Sequence, residues 1–301
     1  MSNKIYKSTT ITILLAILCN ILWGSAYPGI KLGYAAFGIE TVPQILLFAG
    51  LRFTIAGIIL ILASSIKNKK VQAPQKKNIP SLILLAFVYT ALQYLFFYVG
   101  LSNTSGTNGS IFNATSTFIA VIVAHFAYKN EKITAAKIVG TIIGFAGVLA
   151  VTLNGGSAAI SFKGEGLIVV GALAFVIGSM ISKKVTQFEN PNTVAMYNLL
   201  IGGVMLVVIG LLCGGAFTQI SLSGIIGLLY LSLISIGAYS IWTMLLTYNP
   251  VSKISIYNFI IPITATILSA IFLKEDIFKI EYLISLVCVC AGIVIVNKSK
   301  K

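Results

Sequence analysis

Ten apolar runs, each long enough to cross a membrane, constrain this chain more than any other feature of its sequence. They span roughly residues 9–30, 43–66, 80–101, 106–128, 134–153, 164–182, 192–214, 221–247, 252–273 and 281–297. A helix needs about 17–25 residues to cross the hydrocarbon core of a bilayer. Lipid offers the backbone no hydrogen-bond partners, so the runs must be helical. The sequence therefore predicts an all-α integral membrane protein with ten transmembrane helices.

Composition excludes a water-covered surface. The 301 residues are 57% hydrophobic and only 9% charged, whereas soluble domains use about 25% charged residues. The cysteines lie in or beside apolar runs without metal-ligand spacing, and they read as small hydrophobic residues: Cys19, Cys213, Cys288 and Cys290. We expect no metal site and no cofactor.

The lysines predict the orientation of the chain. Sixteen fall on one side of the predicted membrane and four on the other, namely Lys31, Lys163, Lys274 and Lys279. Positive residues concentrate in cytoplasmic loops, so both termini are predicted to be cytoplasmic, in a multi-pass protein of the cell membrane. The net charge of +14 is then explained by lysines in the cytoplasmic connections, which lie next to anionic lipid. No basic cluster is interleaved with stacking aromatics, so no nucleic-acid partner is expected.

The chain repeats itself at a shift of 145 residues. "SIFN" at 110–113 meets "SIYN" at 255–258, and Tyr94 meets Tyr239. The unit is five helices, an odd number, so the second copy enters the membrane upside down. The prediction is two inverted five-helix repeats, 1–153 and 154–301, which are typical of secondary transporters.

Two asparagines close the repeated motif. Asn113 and Asn258 lie about 10 Å into the hydrocarbon from opposite faces, where a buried amide needs partners. Either both face one central cavity, or each bonds a neighbouring helix as transmembrane asparagines often do.

Several motifs resemble the drug/metabolite transporter superfamily, EamA type. They are "LWGSAYPGIK" at 22–31, "LRF" at 51–53, and the acidic "KNEKIT" and "LKEDIF" after the fourth span of each half. The resemblance implies a central cavity lined by spans one, three, four, six, eight and nine. It also implies movement of small metabolites, often outward. Pro262 of span nine has no counterpart in span four, so a hinge there would let the halves move differently.

Aromatic and polar side chains on these spans are the candidate substrate-binding residues. They are Trp23, Tyr27, Gln93, Tyr94, Asn113, Ser179, Tyr239, Trp242, Tyr257 and Asn258. Hydrogen-bonding groups in an apolar wall suit a small amphipathic solute such as an amino acid or a nucleobase-like compound. Packing or an interfacial aromatic belt is the alternative for each aromatic residue.

Three charged or titratable residues have open roles. Arg52 lies about 13–14 Å along its helix, too deep to reach the surface easily. A fixed bond to neighbouring helices is favoured over attraction of a substrate carboxylate. Lys31, at the outer end of span one, is interpreted as a membrane anchor or a gate residue. His125, near the cytoplasmic end of span four, is interpreted as an interfacial residue rather than a proton relay.

Small residues in span five indicate a close helix contact. "GTIIG" at 140–144 and Gly147 fall on one helix face. Packing within the monomer is one interpretation, and a homodimer contact is the other.

Every acidic residue lies in a connection or at the end of a span: Glu40, Glu131, Glu165, Glu189, Glu275, Asp276 and Glu281. Proton-coupled carriers usually need an intramembrane carboxylate, so exit down a concentration gradient is the simpler expectation. No nucleotide-binding or hydrolase motif occurs, so an enzyme is not expected. The hypothesis is a secondary transporter that exports amino acids or related solutes by alternating access. A sensory or structural subunit and a lipid-modifying protein are the alternatives.

Overall fold

Helices occupy each of the ten apolar runs in the computed structural model, which describes residues 8–127, 133–154 and 161–298. They are α1 (Thr9–Phe37), α2 (Val42–Asn68), α3 (Lys76–Ser102), α4 (Gly106–Ala127), α5 (Ala135–Asn154), α6 (Phe162–Val185), α7 (Pro191–Leu212), α8 (Leu222–Tyr248), α9 (251–273) and α10 (Ile280–Lys298). The described residues contain no strand. The all-α class predicted from the sequence is confirmed.

Seven of these helices are long and apolar enough to cross a membrane within the described ranges: α1 to α4 and α6 to α8. Shorter apolar helices occupy the other runs, at Ala135–Gly147, Ile260–Leu273 and Ile280–Gly292. The structure is that of a multi-pass membrane protein. The ten-span count and the inversion of the second half stay predictions.

Helices α4 and α9 are both interrupted next to the repeated motif. In α4, Gly106–Asn113 is separated from Thr115–Ala127 at Ala114. In α9, a 3-10 turn at Ile256–Phe259 precedes the α-helix Ile260–Leu273. The shift of 145 residues that aligns the motifs brings these two interruptions to the same place. The break in α4 occurs without a proline. Pro262 therefore cannot be a cause that the interruptions of α4 and α9 share.

Helix α3 carries a second kind of irregularity. A π-helical turn at Phe87–Leu92 widens the helix immediately before Gln93 and Tyr94. Such turns are rare and often occur at functional sites. The turn lies directly before two candidate substrate-binding residues.

Glycines bring α5 and α10 into close contact. A Cβ atom built on Gly292 would lie 2.7 Å from the backbone nitrogen of Gly144, and one on Gly147 would lie 2.6 Å from Cys288 Cβ. Gly140 also meets Gly292. The small-residue face of α5 therefore packs against α10 of the same chain. This is the within-monomer alternative, and a homodimer stays an untested prediction.

Candidate functional site

A narrow cavity lies where α1, α2, α3, α4, α6 and α9 meet. Its lining residues are Trp23, Ala26, Tyr27, Ile30, Arg52, Gln93, Tyr94, Phe97, Asn113, Phe175, Asn258 and Ile261. About 40 Å³ is open to the centre of a water-sized molecule, and one water needs about 10–15 Å³ by this measure. In this conformation the cavity has room for only a few waters, and a larger solute requires its walls to move apart.

Edge-on aromatic contacts form one wall of the cavity. The ring of Trp23 lies 5.8 Å from Phe175, 6.0 Å from Tyr239 and 4.9 Å from Trp242, measured between centroids. Each such pair contributes about 0.5–1.5 kcal/mol beyond its buried area. Trp23 is therefore fixed in orientation between α6 and α8.

Three residues in the lining carry buried polar atoms that lack a hydrogen-bond partner within the described part of the chain. They are the Trp23 Nε1 donor and the Gln93 Oε1 and Asn258 Oδ1 acceptors. An unpartnered buried polar group costs about 1–3 kcal/mol. These atoms are almost inaccessible to water in this conformation, so a solute would bond to them only once the walls of the cavity move apart.

The repeated asparagines line this one cavity from two helices. Asn113 is half-buried on α4, at the end of its first helical piece. Asn258 is 1% exposed on α9, and its Nδ2 donates to Ser116 Oγ at 3.4 Å. Asn258 thus has a neighbouring-helix bond as well as a cavity position, and its Oδ1 is left for the cavity.

Arg52 is 1% exposed and belongs to the lining. Its Nε donates to the Leu231 carbonyl at 3.0 Å and to Ser235 Oγ at 2.9 Å, both on α8. Its guanidinium carbon also lies 5.0 Å from the centre of the Phe53 ring. The arginine ties α2 to α8, which is the structural role favoured from the sequence, and it contributes to the cavity as well.

Hydrogen bonds through Tyr98 connect the cavity lining to a second, wider pocket, here called the vestibule. Arg52 Nη1 donates to the Tyr98 hydroxyl at 2.7 Å, and the Tyr34 hydroxyl donates to the Tyr98 carbonyl at 3.0 Å. Tyr34 lines the vestibule, where about 500 Å³ is open to the centre of a water-sized molecule. Lys31 and Glu40 also line this vestibule, so Lys31 lies outside the cavity.

Other candidate residues lie beside the cavity or away from it. Ser179 is buried and its Oγ contacts Tyr89 Oη at 3.3 Å and the Phe175 carbonyl at 2.9 Å. Tyr239 and Trp242 of α8 pack behind Trp23, and Tyr257 is partly buried outside the lining.

His125 and Pro262 also stand apart from the lining. His125 Nδ1 accepts from the backbone N–H of Ile133 at 3.2 Å, close to the end of α4. Pro262 is buried near the start of Ile260–Leu273, where a missing N–H has little effect on the helix.

Sequence reasoning missed two aromatic lining residues. Phe97 is one helical turn from Gln93, and Phe175 is one turn from Ser179. Residues four apart share a helix face. The positions of Gln93 and Ser179 could therefore have pointed to Phe97 and Phe175. Restricting the candidates to side chains with a polar or indole group excluded them.

Apolar helices of membrane-spanning length surround a central cavity with polar groups, an arrangement that a membrane transporter needs. The chain belongs to the EamA-like transporter family, since the sequence profile of that family matches residues 10–153 and 162–298. The resemblance noted from the sequence is thereby confirmed.

Curated relatives agree with this class, and a solved structure shares the fold. The chain is 28% identical over 99% of its length to the uncharacterized transporter YvbV of Bacillus subtilis (strain 168), covering 95% of that protein. It is 28% identical over 87% of its length to the uncharacterized inner membrane transporter YedA of Escherichia coli (strain K12), covering 83% of that protein. One crystal structure covers 95% of this chain and 98% of its own with a TM-score of 0.74 at 15% identity, which shows a shared fold.

Proposed function

We propose that this protein is a secondary transporter that exports amino acids or related small amphipathic solutes across the cytoplasmic membrane by alternating access. The central cavity carries the proposal, because it combines an aromatic wall with unpartnered polar atoms. Ligand sites are mostly apolar with a few placed polar groups.

The chemistry of the lining fits a solute with both polar and apolar parts. Gln93 Oε1 and Asn258 Oδ1 accept from an ammonium or amide group, and Trp23 Nε1 donates. The rings of Tyr27 and Phe97, 5.3 Å apart, form an apolar surface beside these groups. Aromatic faces also attract a solute cation.

Alternating access is supported by the size of the cavity and by the form of its helices. A space of about 40 Å³ cannot admit an amino acid unless the walls separate. Discontinuous helices at a site between two repeats are typical of secondary transporters, and α4 and α9 are interrupted where they reach the cavity. The two family matches support a division into repeats at 1–153 and 154–301.

A growth screen followed by flux measurements tests the function. A strain that overexpresses the protein should resist toxic analogues of one amino-acid or nucleobase class. Proteoliposomes preloaded with the parent compound should then release it faster than empty-vector vesicles. Unchanged flux for every compound would favour the sensory or structural alternative over transport.

A matched pair of variants ties the flux to the cavity. Ala26→Phe fills the lining on α1, whereas Leu14→Phe changes a side chain that is 60% exposed on the same helix. The first variant should abolish release and the second should preserve it, with both melting temperatures measured because overpacking costs about 1–3 kcal/mol. Equal release by both folded variants would place the pathway elsewhere.

A further inference from the structure

We infer that Arg52 is the specificity-determining residue of the cavity and that it binds the carboxylate of the transported solute. The inference rests on the proposed function and narrows its substrate class to solutes that carry a carboxylate. It adds solute binding to the two features of Arg52 described above, the tie between α2 and α8 and the position in the cavity lining.

The hydrogen bonds of Arg52 leave most of its donors unused. A guanidinium has five N–H groups. The recorded bonds use Nε, which is shared between Leu231 and Ser235, and one N–H of Nη1. No hydrogen bond within the described ranges uses Nη2 or the second N–H of Nη1. These three donors belong to a residue that lines the cavity.

The charge of Arg52 also has no counterion among the described acidic residues. Three of these acids are engaged elsewhere: Glu165 by Thr104, Glu189 by Asn78 and Glu275 by Thr107. Glu40 faces the vestibule, Asp276 is exposed, and Glu281 lies in the first turn of α10. Glu131 lies outside the described residues.

A buried cation without a counterion is costly, at several kcal/mol after relaxation. The bonds to α8 and Tyr98 offset part of this cost but supply no negative charge. Carboxylates accept from a guanidinium through two parallel N–H···O bonds, and the free Nη1 and Nη2 donors suit that geometry. A solute carboxylate would complete the hydrogen bonding of Arg52 and neutralise it.

The rest of the lining complements this assignment. Gln93 and Asn258 offer carbonyl oxygens without partners, and these accept from an ammonium. The described lining has no carboxylate to bind that ammonium as an ion pair. The carboxylate end of a zwitterion would therefore meet a full charge and the ammonium end only dipoles and aromatic faces, so loss of the carboxylate should weaken binding most.

Acid and amide pairs test the inference on the purified full-length protein. The probes are L-leucine, L-threonine and L-phenylalanine, each compared with its carboxamide, which keeps the ammonium and the side chain. At least one acid should raise the melting temperature and leave proteoliposomes, and its amide should act about 10- to 100-fold more weakly. Added sodium chloride, tested alone, should not reproduce the shift.

Three variants separate charge recognition from helix tying. Arg52→Gln should lose the preference for acid over amide, and Arg52→Lys should keep part of it because the charge remains. Ser235→Ala removes one contact of Nε but leaves the guanidinium, so it should keep the full preference. If Arg52→Gln does not fold, the inference is tested by the preference for acid over amide in the wild type, Arg52→Lys and Ser235→Ala.

Each contrary outcome is specific. Equal handling of acid and amide, or acid transport at the wild-type rate by a folded Arg52→Gln, would overturn this inference and leave the proposed transport intact. A shift reproduced by chloride alone would overturn it in favour of an inorganic anion. Neither flux nor shift with any of the acids and amides would overturn both the inference and amino-acid export.

Discussion

The carboxylate of Glu275 accepts a hydrogen bond from the Thr107 hydroxyl at 2.6 Å, across 168 residues of sequence. The same carboxylate accepts from the backbone N–H groups of Gly106 at 2.8 Å and Thr107 at 3.0 Å. It therefore sits at the amino-terminal end of α4, where helix N–H groups lack partners and negative charge is favoured. The contact fastens the end of α9 to the start of α4, the two interrupted helices that reach the cavity.

Removing this charge should loosen that connection. We expect Glu275→Gln to lower the free energy of unfolding by about 1–2 kcal/mol, because it weakens charge-assisted bonds to a helix terminus. Asp276→Asn is the matched control, since Asp276 is exposed and accepts only from Phe278 N–H among the described residues. Melting of both variants in one detergent checks the prediction, and equal losses would contradict it.

The contact between α5 and α10 should tolerate no side chain. Gly292→Ala places a Cβ atom against the backbone of Gly144, which cannot give way as a side chain can, and should destabilise by about 1–3 kcal/mol. Gly227→Ala is the control, because no atom lies within 4 Å of its added Cβ. It should stabilise α8 by about 0.5–1 kcal/mol. A Gly292→Ala protein that melts like wild type would refute the close contact.

The lysine distribution predicts opposite labelling of two cysteines. Native Cys213 is exposed at the end of α7 and should react with an impermeant thiol reagent from outside the cell. Cysteine at Asn68, which is exposed at the end of α2, should react only from the cytoplasmic side in a Cys213→Ser background. The reverse pattern would mean that both termini lie outside.

Transport should not depend on a proton gradient. The described acidic residues lie at helix ends or in connections, and a proton-coupled carrier usually needs a carboxylate within the membrane. Efflux from preloaded vesicles should therefore persist after the gradient is collapsed by an uncoupler. If efflux stops, His125→Ala is the variant to measure next, because His125 lies near the end of α4 and accepts a backbone bond.

The two asparagines should matter more for transport than for stability. Asn113→Ala and Asn258→Ala should reduce flux strongly and cost only about 0.6 kcal/mol of stability, the average for a membrane hydrogen bond. Ser116→Ala is the control, since it removes the recorded bond to Asn258 and leaves the lining intact. Loss of flux in Ser116→Ala equal to that in Asn258→Ala would assign the effect to helix packing.

Cysteines at the same two positions provide an independent measurement. Asn113→Cys and Asn258→Cys should react with a small water-soluble thiol reagent, because both positions line the cavity. A transported solute should protect both from reaction. Unreactive cysteines with normal transport would mean that the repeated motif is packing inherited by duplication, and that the solute contacts other residues such as Trp23 and Tyr94.

Sequence alone determined the helical class, the positions of the apolar helices and six cavity-lining candidates that include Trp23, Gln93 and Asn258. Length and hydropathy are sufficient for this because lipid permits a backbone only if it satisfies its own hydrogen bonds. It did not predict the interruptions at Ala114 and Ile256–Phe259, since neither site in itself carries a proline or a glycine.

Tertiary structure decided which side chains share the cavity. Ser179 and Phe175 lie one turn apart on α6, yet only Phe175 reaches the lining, and Ser179 turns its hydroxyl to Tyr89. Arg52 could tie helices, face the cavity or do both. Only the structure shows that it bonds to α8 and also lines the cavity. Hydrophobic periodicity cannot fix such details in a helix that is apolar on every side, because its rotation is set by contacts with helices distant in sequence.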